Sequence, residues 1–212
     1  MTSRDYHDYV FQNGRLLGDF DGMYRKSTAV PWGQDTASRR WYTQVGFTMV
    51  RECGPYGWVL EIGCGLGYIA SQIRGQQTAG IEAFDVSPTA ITEASRLHSG
   101  IGFFVDDIAA DSFRPRRPYD LVVACDLFWY VFPKLETVVR NIETCVKPGG
   151  HLYIRQSFPP LDREFVGKER IADPDELIAL FPAFTPIHSA RLVNHQMDDG
   201  PILHLMSRSR SS

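Results

Sequence analysis

Apolar positions along the chain follow two rhythms. Trp58–Ile62 and Tyr119–Ala124 are compact apolar runs rich in β-branched residues, the pattern of strands covered on both faces, since a strand with one wet face would alternate. Helical stretches lie between such runs, and capping residues mark their starts. The chain enters a helix after Gly67, over Tyr68–Arg74. Ser87-Pro88 supplies an N-cap and a first-turn proline for Thr89–His98. Pro133 opens a helix to Cys145 that Pro148-Gly149-Gly150 stops, and Asp173-Pro174 starts one reaching Phe181.

The predicted order is strand 57–63, helix, strand 79–85, helix, strand 102–107, a connection, strand 119–124, helix and strand 151–157. Right-handed crossovers make this an α/β fold with a doubly wound, mostly parallel sheet, whose ligands bind at the carboxyl ends of the strands where the order reverses. Two further strands, Ile187–His195 and Ile202–Ser207, flank a turn at Asp198-Asp199-Gly200-Pro201 and must be antiparallel. A symmetric hairpin about that turn would set His195 opposite His204.

Residues 1–55 carry no strand signal and hold Trp32, Trp41, Tyr42 and a helix predicted from Asp35 to Cys53. They are expected to form a helical N-terminal segment ahead of a ligand-binding domain at 56–212. That segment either caps the ligand crevice or packs on the sheet edge.

Composition narrows the function classes. A length of 212 residues suits one domain, and 43% hydrophobic with 22% charged residues is ordinary for a folded, soluble chain. A formal charge of −3 supplies no overall attraction for a polyphosphate, so no nucleic-acid partner is expected. Leu121–Phe132, interrupted by Asp126, is too short for a membrane span, and no membrane partner is expected. Cys53, Cys64, Cys125 and Cys145 form no CxxC pair, and the N-terminus does not look like a signal peptide, which favours a cytoplasmic location. The six histidines show no ligand spacing, so no metal is expected.

The chemistry concentrates in Val59-Leu60-Glu61-Ile62-Gly63-Cys64-Gly65-Leu66-Gly67. Glycines at every second position let the backbone turn sharply and approach a ligand at a helix N-terminus. A dinucleotide fingerprint would need glycine at 68, where Tyr68 stands. Glu61 at the mouth of the loop would repel a pyrophosphate and favour an ammonium or sulfonium. Asp85, 24 residues on and followed by Val86, ends the second strand where a carboxylate can accept both ribose hydroxyls. Ribose plus a cationic group describes S-adenosylmethionine.

Later positions fit the same ligand. Asp107, chosen over Asp106, is placed to accept the adenine amino group, with Ile108 against the ring. The fourth strand delivers Cys125, Asp126, Trp129 and Tyr130 to the crevice, facing the reacting methyl. Asp126 either takes a proton from the acceptor or caps the following segment. Trp129 and Tyr130 stack on a substrate ring, shield a sulfonium through cation–π attraction, or simply pack. Arg39 and Arg40, beside Trp41 and Tyr42, are candidates to meet an anionic acceptor.

Five ordered motifs now stand together: Glu61-x-Gly63-x-Gly65-x-Gly67, Asp85-Val86-Ser87-Pro88, Asp107-Ile108, Tyr119-Asp120-Leu121-Val122 and Val146-Lys147-Pro148-Gly149-Gly150. From Trp58 to Ser207 the chain resembles the class I, seven-stranded S-adenosylmethionine-dependent methyltransferases. The resemblance implies strand order 3-2-1-4-5-7-6 with an antiparallel strand 7. It also implies that Glu61 and the glycine loop hold the methionine end, Asp85 the ribose and Asp107 the adenine. Leu127-Phe128-Trp129-Tyr130 and Pro31-Trp32 are similar to segments of small sugar methyltransferases, including the nodulation-factor N-methyltransferase group.

The expected activity is methyl transfer to nitrogen or oxygen of a small molecule, a saccharide or specialised metabolite, with Asp126 and Tyr130 as candidate catalytic residues. The alternatives are a methyltransferase acting on a macromolecule and a non-catalytic S-adenosylmethionine-binding module. The oligomeric state is left open.

Overall fold

The computed structural model describes residues 7–37, 39–74, 79–158, 164–192 and 200–208. Seven strands form one sheet: β1 (Trp58–Ile62), β2 (Gly80–Asp85), β3 (Gly102–Val105), β4 (Tyr119–Cys125), β5 (Val146–Phe158), β6 (Phe184–Arg191) and β7 (Gly200–Arg208). Their order is β3-β2-β1-β4-β5-β7-β6. The pairs from β3 through β5 are parallel, whereas β7 runs antiparallel to both β5 and β6. This is the architecture expected from the sequence. The order reverses between β1 and β4, so the crevice opens beyond their carboxyl ends.

The central strands are buried on both faces, as their apolar runs require. Leu60, Ile62, Val122 and Ala124 face one core, shared with the helix over Leu135–Cys145, while Val59, Leu121 and Val123 face the other. Residue 61 follows the same alternation as Val59, which puts Glu61 on the second face, beneath the helix after the glycine loop.

Six helices matter here: α1 (Phe20–Lys26), α2 (Trp41–Glu52), α3 (Tyr68–Arg74), α4 (Pro88–Leu97), α5 (Leu135–Cys145) and α6 (Pro174–Ala179). Ser87 caps α4, its hydroxyl accepting the Ala90 N–H at 3.1 Å with Pro88 in the first turn. Asp173 caps α6 through the Glu176 N–H at 2.9 Å. On α2 the buried positions Tyr42, Phe47 and Val50 face the sheet, and Gly46 meets the side chain of Tyr153. A β-carbon at residue 46 would overlap the Tyr153 hydroxyl, so glycine is required there for space.

Several local expectations are corrected. Residues 1–55 do contain strand: Phe11–Gln12 pairs antiparallel with Arg15–Leu16 around Asn13-Gly14, a ladder too short to give an alternating pattern. The helix expected from Asp35 to Cys53 is two, Gln34–Ala37 and α2, and Arg40 between them has extended backbone. The helix predicted from Pro133 begins at Leu135, after a short helix at Phe128–Val131 and a 3-10 turn at Phe132–Lys134. Strand β5 starts at Val146, before Pro148-Gly149-Gly150. In the final hairpin Ser189, not residue 195, lies opposite His204, and its hydroxyl hydrogen-bonds the His204 ring at 2.8 Å. His195 lies outside the described residues.

Candidate active site

The carboxyl ends of β1, β2 and β4 open into a cavity of about 870 Å³. Its floor is the loop from Ile62 to Gly67, in which Gly63, Gly65 and Gly67 all have positive φ. The Gly67 N–H returns to the Cys64 carbonyl at 2.9 Å, a tight turn that delivers the chain into α3.

Glu61 is 2% exposed, and one of its oxygens accepts the Ala70 N–H of α3 at 2.7 Å. Burial drives its carboxyl up to about 8, partly offset by the Ala70 hydrogen bond and by the charge of Arg155. The site thus holds a buried acid at the edge of ionisation, which a nearby cation would draw into its charged form. Asp85 is similarly buried and ties two loops together. One oxygen accepts the Gly65 N–H at 2.8 Å and the other the Ser87 N–H at 2.9 Å. Burial raises its pKa, against the pull of those backbone donors. Each oxygen retains a lone pair, and Asp85 lines the cavity next to the half-exposed Val86.

After β3, both Asp106 and Asp107 reach the cavity with Ile108. Asp107 accepts the Ala109 N–H at 2.8 Å, and Asn141 of α5 donates to the Ile108 and Ala110 carbonyls at 2.8 and 2.9 Å. This turn is therefore held rigidly to the core. Cys64 and Cys125 also line the wall. Burial pushes both thiols up, that of Cys125 to about 12, so neither is a thiolate near neutral pH.

Asp126 follows β4 with φ of +51°. Its Oδ2 accepts the Nε–H and an Nη2–H of Arg155 at 3.1 and 2.6 Å, and its Oδ1 accepts the Ser157 N–H at 3.2 Å. Arg155 is buried and gives a further hydrogen bond to Thr43 of α2 at 2.9 Å. Of the two sequence readings of Asp126, the structure corrects the capping one. The following short helix has Leu127 at its N-cap with no side-chain hydrogen bond, so Asp126 does not cap it.

The front segment lies over the cavity rather than along the sheet edge. Asp21 of α1 accepts the Ser87 hydroxyl and the Thr89 N–H at 2.9 and 3.0 Å. Gln34 accepts the Leu66 N–H and donates to the Tyr24 hydroxyl, both at 2.8 Å. Tyr24 and Gln34 press so closely on the glycine loop that a β-carbon at residue 65 would come within 2.5 Å of each. Tyr130 stands among rings from this segment, 5.5 Å from Phe20 and Trp32 and 6.0 Å from Phe11 between centroids.

Of the sequence candidates, Glu61, Gly63, Cys64, Asp85, Val86, Asp107, Ile108, Cys125, Asp126, Trp129 and Tyr130 line this one cavity. Gly65 and Gly67 shape its loop from behind. Trp129 is tied down, its Nε1–H donating to the Ser157 carbonyl at 2.8 Å and its ring 4.9 Å from Phe165. Arg39 and Trp41 are exposed outside the cavity lining, where their neighbours Arg40 and Tyr42 stand instead. Sequence reasoning missed Asp21, Tyr24, Gln34, Thr43 and Arg155. Only Arg155 left a signal, a lone charge in the apolar strand Leu152-Tyr153-Ile154.

The comparisons with known proteins agree with this geometry. A family described as a methyltransferase domain matches residues 60–152. The ubiquinone biosynthesis O-methyltransferase of Ralstonia nicotianae is 33% identical over 99 residues, 45% of this chain and 41% of that protein. The protein of the same name from Paraburkholderia xenovorans is 30% identical over 136 residues, 56% of this chain and 58% of that one. The match thus spans about half the length of these curated relatives. Among solved structures, the N-methyltransferase NodS from Bradyrhizobium japonicum, in complex with S-adenosyl-L-homocysteine, superposes with a TM-score of 0.69 at 19% identity, covering 89% of this chain and 97% of that one. An S-adenosylmethionine-dependent methyltransferase from Mesorhizobium loti gives 0.64 at 17% identity, covering 83% and 100%. At such identities the likeness is one of fold. Residues 60–152 thus match a methyltransferase-domain family, and the chain shares the fold of the solved S-adenosylmethionine-dependent methyltransferases it superposes on.

Proposed function

We propose that the chain is an S-adenosylmethionine-dependent methyltransferase that transfers methyl to nitrogen or oxygen of a small molecule. The observation that carries this reading is the convergence of three carboxylates, Glu61, Asp85 and Asp107, from three adjacent strand ends onto one cavity. A pyrophosphate ligand would meet repulsion from all three; an adenosyl cation finds an acceptor for each of its polar ends.

The donor set fits S-adenosylmethionine group by group. Glu61, once ionised, faces the amino group at the methionine end. Asp85 offers its remaining lone pairs to the ribose hydroxyls. Asp107 receives the adenine amino group, with Val86 and Ile108 on the faces of the ring. S-adenosylmethionine supplies a methyl already activated on a sulfonium sulfur, so the protein's task is alignment and exclusion of water more than proton transfer. Asp126, held by Arg155, accepts a hydrogen bond from the nucleophile and aims its lone pair. Tyr130 and the rings of Phe20 and Trp32 close the chamber over the reacting centre, where their faces favour positive charge.

The test is incubation of the purified chain with methyl-labelled S-adenosylmethionine and a cell extract, followed by size fractionation. Label in the small-molecule fraction is the expected result. Label confined to macromolecules, or donor binding without any transfer, would overturn it.

A further inference from the structure

Resting on the donor reading above, we infer that Arg155 is a positioning residue for both halves of the site: one buried cation fixes Asp126 by hydrogen bonds and, across the same sheet face, sets the charge state of Glu61.

Strand pairing brings these groups together. Glu61 of β1 lies beside Val123 of β4, which lies beside Tyr153 of β5; one pleat further on, Cys125 lies beside Arg155. Residues two apart in a strand share a face, so Glu61 and Arg155 project to the same side of the sheet, offset by one pleat and separated by β4. Both are buried, at 2% and 6% exposed, and both line the cavity together with Asp126.

Stability is a poor account of a cation in this place. A buried ion pair gains little over apolar packing of the same volume, and the preceding residues of the strand, Leu152, Tyr153 and Ile154, are wholly buried apolar side chains. Three of the five N–H groups of Arg155 are engaged, two by Asp126 and one by Thr43. The guanidinium stays charged at any pH the protein meets, so it is a permanent positive charge inside the site.

The groups facing Glu61 are Asp85 from β2, the un-ionised thiols of Cys64 and Cys125, and Arg155. Asp85 opposes the charged form of Glu61, and Arg155 is the cation that favours it. Around Arg155 stand Asp126, Cys125, the Tyr153 hydroxyl and the Tyr42 ring, the last centred 6.0 Å away. In the free chain Asp126 balances Arg155, and burial keeps Glu61 neutral near pH 7. The donor's ammonium is a second cation, which an ionised Glu61 balances. Arg155 lowers the cost of that ionisation, so donor affinity near neutral pH depends on a side chain that needs no contact with the donor.

The test is calorimetric titration with S-adenosylhomocysteine from about pH 6 to about pH 9, on the natural chain and on Arg155→Met, Arg155→Gln and Arg155→Lys. No binding by the natural chain would overturn the donor reading and this inference with it; the remaining outcomes concern the inference alone. Loss of the cation in the Met and Gln variants should move the midpoint of the pH dependence up by about one unit, so that affinity falls about tenfold at about pH 6.5 and by less as pH rises. Arg155→Lys keeps the charge and should bring the midpoint back toward that of the natural chain. A side chain that only supported packing would lower affinity by one factor at every pH, so an unmoved midpoint in a folded neutral variant overturns the inference. The natural chain gives a second reading that needs no change at Arg155. In nitrogen NMR the Arg155 Nε–H resonance should shift with a midpoint of about 8 as Glu61 ionises, and that shift should vanish in Glu61→Gln. A resonance constant over this range, or one that shifts equally in Glu61→Gln, also overturns the inference.

Discussion

Arg155 and Asp126 form an ion pair in which the guanidinium is buried and the carboxylate is 40% exposed toward the cavity, with Nη2 and Oδ2 at 2.6 Å. The two partners are therefore unequal. Removing Asp126 leaves a buried cation with Thr43 as its remaining hydrogen-bond partner, whereas removing Arg155 leaves a carboxylate that water can reach.

Asp126→Asn, which tolerates the left-handed backbone, should lower stability by about 3–5 kcal/mol, the range for an orphaned buried charge. Arg155→Met should cost markedly less, about 1–2 kcal/mol, because an apolar side chain replaces the cation and Asp126 turns to solvent. Urea denaturation of the two variants checks the order, and an Arg155→Met that proves the more damaging would contradict the account.

In the proposed site, Glu61 predicts a definite pH dependence of donor binding. Its folded pKa of about 8 lies above the ordinary 4.5, so the burial penalty is absent below the ordinary value, grows with pH and is complete above about 8. In this window the free chain loses stability from this group as pH rises. A bound cation favours the ionised form, so the thermal stabilisation by S-adenosylhomocysteine should increase from about pH 6 to about pH 8.5. Proton release on binding should appear when calorimetry is repeated in buffers of different ionisation heat. Glu61→Gln should flatten the dependence; an unaltered pH profile in that variant would remove Glu61 from the site.

Asp85 ties the glycine loop to Ser87 and, in the proposed site, also receives the ribose. Asp85→Ala deletes the acceptor for the Gly65 and Ser87 N–H groups and for the ribose, and should weaken donor affinity by about 1.5–3 kcal/mol, roughly ten- to a hundredfold. Unchanged affinity in direct titration would withdraw the ribose assignment.

The contact of Gly46 with Tyr153 is a packing test remote from the chemistry. Alanine is the better helix former by about 1 kcal/mol, yet Gly46→Ala should destabilise by about 1–3 kcal/mol because its methyl collides with the Tyr153 ring. The Tyr153 hydroxyl is buried without a hydrogen-bond partner among the described residues, so Tyr153→Phe should be neutral or stabilising. Part of the Gly46→Ala loss should be recovered in the double variant. Thermal melts of the three proteins check this.

The sheet and the carboxylates that meet at its crevice were legible because both depend on local signals. Glu61 and Asp85 stand at the ends of apolar runs, and the glycines between them announce a turn. The acceptor side depends on contacts that no local pattern encodes: Asp21 reaches Ser87 and Thr89 across more than sixty residues, and Arg155 reaches back to Asp126 and Thr43. Arg39 and Arg40 are neighbours of the same type, and which one meets the cavity is set by where α2 starts. The last hairpin went wrong for a similar reason. The Asp199-Gly200 pair suggested a register centred on that turn, whereas the observed register sets Ser189 opposite His204.

The central claim is that acidic strand ends here receive an adenosyl cation. Calorimetric titration of the purified chain with S-adenosylhomocysteine and, separately, with NADH tests it most directly. The account predicts saturable heat of one-to-one stoichiometry with the former and none with the latter; clean binding of NADH with no response to S-adenosylhomocysteine would contradict it.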